Sequence, residues 1–122
     1  MVTMRVFVYG TLRTDQVNHY WLEEAHLLGR CVLKGGWRLY DLGLYPAVVE
    51  DADVKRSLTG EVYQVTAEQL AKLDELEEYP TLYGRKEVDT PLGRAWIYYY
   101  QLLDEYVTEI KAGDWCQYTP LN

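Results

Sequence analysis

A chain of 122 residues, 48% of them hydrophobic, is long enough for one domain with its own core and needs no disulfide or metal staple. A formal net charge of −7, with no basic run or stripe, argues against a nucleic-acid backbone as partner. No apolar run approaches the roughly 18 residues of a membrane span. The opening Met1–Gly10 is too short and lacks the small-residue cleavage signal of a secretory leader, so a cytoplasmic protein with no membrane partner is expected.

Arg5–Tyr9 is a β-branched and aromatic run stopped by Gly10, the pattern of a buried opening strand that breaks into a tight turn at Gly10-Thr11-Leu12. Trp21, Leu22, Ala25 and Leu28 recur at helical spacings ahead of Gly29, which predicts a short helix or helical turn between Asn18 and Leu28. Val32-Leu33, the pair Gly35-Gly36 and Trp37–Tyr40 suggest two strands about a glycine turn. A further strand over Ala47–Glu50 starts at an edge or bend marked by Pro46. Asp51–Arg56 reads as an exposed charged loop, and Leu58–Val65 alternates as a strand feeding into Thr66.

Thr66 and Gln69 form a capping-box pattern, and the residue before Pro80 is pushed out of helical geometry. The helix is therefore expected from about Ala67 to Glu78. Leu70, Leu73 and Leu76 with Ala67 and Ala71 fill one arc of it, opposite Glu68, Lys72, Glu75 and Glu78. Glu77 falls inside the apolar arc. A carboxyl there loses hydration, its ionised form is disfavoured, and its pKa rises toward the range a general acid or base needs. The alternative is a last turn that swings outward and leaves Glu77 solvated. Glu75 and Glu78 are expected to be solvated in either case.

Arg85–Asp89, the turn Thr90–Gly93 and Arg94–Leu103 read as a hairpin, with Trp96, Tyr98, Tyr100 and Leu102 on one face. Within the tail, 104–122, Trp115 and Tyr118 suggest a segment that packs back on the body. Cys31 and Cys116 are expected to be free and buried. His19 and His26 have no ligand set around them, so no metal is indicated. Many short strands, one or two helices and no βα alternation predict a single α+β domain over residues 1–122, a small mixed β-barrel with flanking helices. Such a barrel offers an end cavity, which some of the 12 tyrosines would line.

Tyr9-Gly10-Thr11-Leu12 joins a strand end to a glycine that lets the backbone approach a ligand, and its successive N–H groups suit an anion or oxyanion. Taken alone, the pattern fits a simple turn equally well. Tyr83 and Arg85 are a hydroxyl and a fixed charge just past the helix, or merely a strand aromatic and its neighbour.

In order along the chain stand Val-Tyr-Gly-Thr-Leu-Arg (8–13), Asn18, Tyr45-Pro46-Ala47 and Gly60-Glu61-Val62-Tyr63. They are followed by Leu73-Asp74-Glu75-Leu76-Glu77, Tyr83-Gly84-Arg85 and Gly113-Asp114-Trp115. This set resembles the γ-glutamylcyclotransferase-like family, in its small single-domain branch that includes γ-glutamylamine cyclotransferase. The resemblance implies a barrel whose cavity closes a γ-glutamyl group into 5-oxoproline and releases the amine. It assigns the acid/base role to Glu77 and substrate binding to Tyr9, Gly10, Thr11, Leu12 and Tyr83, with Arg85 a candidate for electrostatic or structural support. It implies no cofactor, a small γ-glutamyl substrate, and a monomer or weak homo-oligomer. The amine would be read by variable loops at Thr14–Asn18, Leu42–Tyr45 and the acidic Asp51–Asp53. Two other readings stand beside it: a non-catalytic module that binds a small ligand on the same barrel, and an interaction domain that uses Trp96, Tyr98 and Tyr100.

Overall fold

A computed structural model describes residues 3–101 and 107–119. Strands β1 (Thr3–Val8), β2 (His26–Lys34), β3 (Gly36–Asp41), β4 (Pro46–Asp51) and β5 (Ser57–Thr66) precede helix α1 (Ala67–Leu76). Strands β6 (Tyr83–Thr90), β7 (Gly93–Tyr100) and the two-residue β8 (Thr108–Glu109) follow it. They form a five-stranded sheet in the order β2-β5-β1-β7-β6 and a three-stranded sheet in the order β4-β3-β8. Among the described residues these ladders do not join into a ring. The expected α+β class holds, with two packed sheets in place of a closed barrel.

The sheets meet where β4 lies on β7 and β3 on β5. Alternation along β1 explains the layering. Phe7 packs between the sheets with Trp37, Leu39, Val62 and Ile97. Val6 and Val8 point the other way, toward Leu22, Tyr63, Leu70 and Leu73 under α1. Strand β5 is covered on both faces for the same reason and is buried almost continuously from Leu58 to Val65, rather than alternating as the sequence pattern suggests.

Two expectations need correction. Of the short helix or helical turn expected between Asn18 and Leu28, the turn forms, as one 3₁₀ turn at His19–Leu22, while the chain from His26 onward pairs with β5. Gly29, taken as a helix stop, instead sits at a register shift in that ladder with φ 152°. Asp51–Arg56 is not wholly exposed either, since Val54 is buried.

Other features form as expected. Thr66 and Gln69 make both bonds of the capping box, 3.1 Å and 2.8 Å. The hairpin closes at Thr90–Gly93, where Gly93 takes φ 108°. Leu102, assigned to one face of this hairpin, lies outside the described residues. Trp115 and Tyr118 pack against the inter-sheet core. Cys31 is buried and Cys116 half-buried, and both are free thiols. No helix among the described residues is long and apolar enough to cross a membrane.

Candidate active site

Helix α1 ends at Leu76, two residues earlier than its sequence pattern suggests, and this fixes the direction of Glu77. Leu73 accepts the Glu77 N–H at 2.9 Å, Glu77 takes φ −84° and ψ 0°, and Glu78 enters the left-handed region at φ 52°. Glu77 is thus the last residue the helix holds, above buried Leu70 and Leu73. Its side chain lines a cavity of about 460 Å³ between the end of α1, the turn after β1 and the start of β4. The outward-swinging alternative does not occur. Burial pushes the Glu77 carboxyl up from its ordinary 4.5 to about 7. Glu75 and Glu78 are exposed as expected, although Glu78 also reaches the cavity wall.

Tyr9, Gly10, Thr11 and Leu12 form the wall facing Glu77. The turn is closed by the Arg13 N–H donating to the Gly10 carbonyl at 3.0 Å. Asn18 braces it from outside, its backbone N–H donating to the Thr11 carbonyl at 2.9 Å and its side-chain amide to the Thr11 hydroxyl at 3.0 Å. Gly10 is required by contact: a Cβ there would lie 2.4 Å from Cγ of Pro46. The backbone therefore runs against β4 where a side chain has no room.

Tyr83 and Tyr98 complete the inner wall, both almost fully buried. Burial raises the phenol pKa of Tyr9, Tyr83 and Tyr98 far above the usual value, and a charged Glu77 adds to the rise in each. These hydroxyls remain protonated donors. That of Tyr9 is committed to the Tyr98 carbonyl at 2.7 Å, so Tyr9 offers the cavity its backbone and ring rather than a free hydroxyl.

Arg85 does not line the cavity. It pairs with Asp74 of α1 at 2.9 Å and lies 4.4 Å from the Trp96 ring and 4.7 Å from the Tyr79 ring. Asp74 also accepts the Tyr98 hydroxyl at 2.6 Å. Arg85 therefore ties α1 to β6 and β7. The same contacts cover the Trp96 face, and Tyr98 is 3% exposed, which removes the aromatic patch an interaction domain would present.

A second buried polar cluster was not singled out by charge pattern. Arg13, 4% exposed, pairs with Asp114 at 2.7 Å, and its Nε lies 3.9 Å from Glu61. Glu61 also accepts the Thr14 N–H at 2.8 Å and the Tyr63 hydroxyl at 3.1 Å. Burial pushes the Tyr63 phenol up to about 12, which keeps it a donor. This cluster anchors the far end of the Gly10–Leu12 turn to β5 and to the segment 113–118. Its residues belong to the motifs quoted above, but no periodicity marks a buried Arg.

Of the loops expected to face the amine, two reach the cavity, through Val17 and Asn18 and through Leu44 and Tyr45. Asp51–Asp53 does not. It stands at the other end of β4 from Pro46, roughly 17 Å along the strand, and Asp51 is paired with Arg38 at 2.8 Å. No group of three or more His, Cys, Asp or Glu side chains with metal-site geometry occurs among the described residues.

The pattern of the family described as "Gamma-glutamyl cyclotransferase, AIG2-like" matches residues 6–117. The chain belongs to this family. A Vibrio cholerae relative, provisionally named a gamma-glutamylcyclotransferase, is 48% identical, with 92% of this chain and 95% of that one aligned. The gamma-L-glutamyl-butirosin B gamma-glutamyl cyclotransferase of Niallia circulans is 38% identical over 93% of this chain and 76% of its own. Among solved structures, the solution structure of Escherichia coli ytfP superposes with a TM-score of 0.76 at 39% identity. That match covers 93% of this chain and 97% of the other.

Proposed function

We propose that this protein is a γ-glutamylcyclotransferase that converts a γ-glutamyl amine into 5-oxoproline and free amine, with Glu77 as its single acid/base. The observation that carries the reading is a carboxyl with a pKa of about 7, opposite the Tyr9–Leu12 turn in one cavity.

The α-ammonium of the substrate must lose a proton before its nitrogen attacks the γ-carbonyl carbon. Glu77 takes that proton. The nitrogen lone pair forms the ring C–N bond while the carbonyl π pair moves to oxygen. The resulting oxyanion is met by backbone N–H groups of the turn, which need no reorganisation as charge develops. When the oxyanion collapses, the original C–N bond breaks and the departing nitrogen receives the first proton back from Glu77, while the ring nitrogen gives up its remaining ammonium proton to the released amine, which leaves as an ammonium ion. Charge and protons balance, and the carboxyl ends as it began.

The raised pKa bears on the first proton transfer. Moving Glu77 from 4.5 to about 7 narrows its mismatch with an amine by about 2.5 units. At about 1.4 kcal/mol per unit, that removes roughly 3 kcal/mol from the uphill transfer off the ammonium. Tyr83 closes the inner wall, and Asn18 and Arg85 position the turn and the helix.

The test is 5-oxoproline release from a panel of γ-glutamyl amines by wild type and Glu77→Gln. Release by the wild type with a loss of ~10²-fold or more in the variant is expected for removal of an acid/base group. No release by either, with γ-glutamyl ligands still raising the melting temperature, would instead favour the non-catalytic binding module.

A further inference from the structure

We infer that the rim of this cavity selects a leaving amine carrying an uncharged apolar chain or ring over one carrying a cationic tail. The inference rests on the cyclotransferase reading and names the substrate class of the same site. It comes from what surrounds the cavity mouth. Val17 is 73% exposed, Leu44 89% and Tyr45 40%, and all three line the opening. A single exposed aliphatic residue means little on any protein surface. Here the two most exposed large hydrophobics among the described residues stand on the two loops that frame one cavity.

Both loops are braced, so these side chains are displayed rather than loose. Leu44 sits in a turn closed by the Leu42 N–H on the Tyr45 carbonyl at 3.0 Å. A second bond, from the Gly43 N–H to Asp41 at 2.7 Å, fixes its entry. Gly43 takes φ 105°, a left-handed conformation that a side chain would strain, and Leu44 is thrown outward by it. Val17 precedes Asn18, whose two bonds to Thr11 fix its position.

The charges supply no buried partner for a cation at the apolar rim. Among the described lining residues there is no Lys, Arg or His, and the acids are Glu77 and the exposed Glu78. Glu78 faces solvent, where its attraction for a cation is screened. Seating an ammonium group against Val17, Leu44 and Tyr45 would strip its water without a buried partner. An alkyl or aryl group at the same place leaves water and covers the apolar rim.

The decisive pair of substrates is γ-glutamyl-hexylamine and γ-glutamyl-cadaverine, equal in length and differing in a terminal methyl or ammonium group. With wild type, kcat/KM for 5-oxoproline release is expected to favour the hexyl compound by about tenfold or more, the scale of a well-formed apolar contact. Leu44→Glu and, separately, Val17→Ser should each drive that ratio toward one. Both sites are exposed enough for the substitutions to leave the core untouched. Equal kcat/KM for the two substrates, or a ratio unmoved in both variants, overturns the inference and leaves the cyclotransferase reading standing. No release from either compound or from γ-glutamyl-methylamine, whose leaving group is too short to meet the rim, overturns both.

Discussion

Replacing Glu77 by Gln changes stability with a sign opposite to that of most carboxylate mutations. The folded-state pKa of about 7 lies above the unfolded value near 4.5, so the native protein holds its proton longer than the unfolded chain. Below about pH 4.5 both states are protonated and burial of Glu77 carries little penalty. Between about 4.5 and 7 the unfolded state ionises first and stability falls as pH rises. Above about 7 both states are ionised and the penalty is constant, at most about 3 kcal/mol for a shift of this size. Gln keeps the shape and cannot ionise. The variant should therefore match wild type at pH 4 and exceed it at pH 8.5 by up to about 3 kcal/mol, roughly 10 °C in melting temperature for a domain of this length. Urea unfolding of both proteins at the two pH values measures it. Every other carboxylate titrates alike in the two proteins and cancels in the comparison. An equal or lower stability of Glu77→Gln at pH 8.5 would refute a desolvated carboxyl at this position.

The same shift predicts that kcat/KM falls on the acid side with an apparent pKa near 7 as the base becomes protonated. A pH–rate profile with its limb near 4.5 would mean a solvated Glu77. Asp114→Ala leaves Arg13 buried with only the 3.9 Å contact to Glu61, so a loss of about 3–5 kcal/mol in urea unfolding is expected. A loss under about 1 kcal/mol would show that the cluster is not needed to hold the guanidinium. Gly10→Ala must displace either Pro46 or the turn, since the new Cβ would fall 2.4 Å from Cγ of the proline. Cyclisation should drop at least about tenfold through misplaced turn N–H groups. Activity within twofold of wild type would show that the wall between turn and β4 yields at little cost.

What the sequence could disclose follows from the range of each interaction. The capping box and the hairpin turn are set within a few residues of chain and form in the structure, and of the apolar arc around Glu77, Leu70 and Leu73 are buried while Ala67 and Ala71 are exposed. The helical turn expected between Asn18 and Leu28 forms only at His19–Leu22, because its apolar spacing is local while the pairing of His26–Lys34 with Ser57–Thr66 is not. Long-range pairing overrode the local periodicity. The β-barrel was inferred from a count of strands, and a count says nothing about whether the outer strands β2 and β6 meet.

The site itself divides along the same line. Glu77 was legible because a charged residue among leucines is anomalous in the chain. Arg13 was not, because next to Leu12 and Thr14 it looks like any polar loop residue, and its partners lie 48 and 101 positions away. Those distant carboxylates have a consequence for the chemistry. A turn that must present backbone N–H groups to an oxyanion gains nothing from side-chain charge at its tip, yet it must not shift as charge develops. Placing the charge pair one residue beyond the turn, at Arg13, buried and away from the cavity lining, meets both demands. The anchoring field then acts on the loop rather than on the substrate. Within the described lining, Glu77 keeps its raised pKa because no cation stands in the cavity wall to lower it. An Arg turned into the cavity would strengthen carboxylate binding and, by the same attraction, return Glu77 toward its ordinary pKa and weaken it as the proposed base for the substrate ammonium.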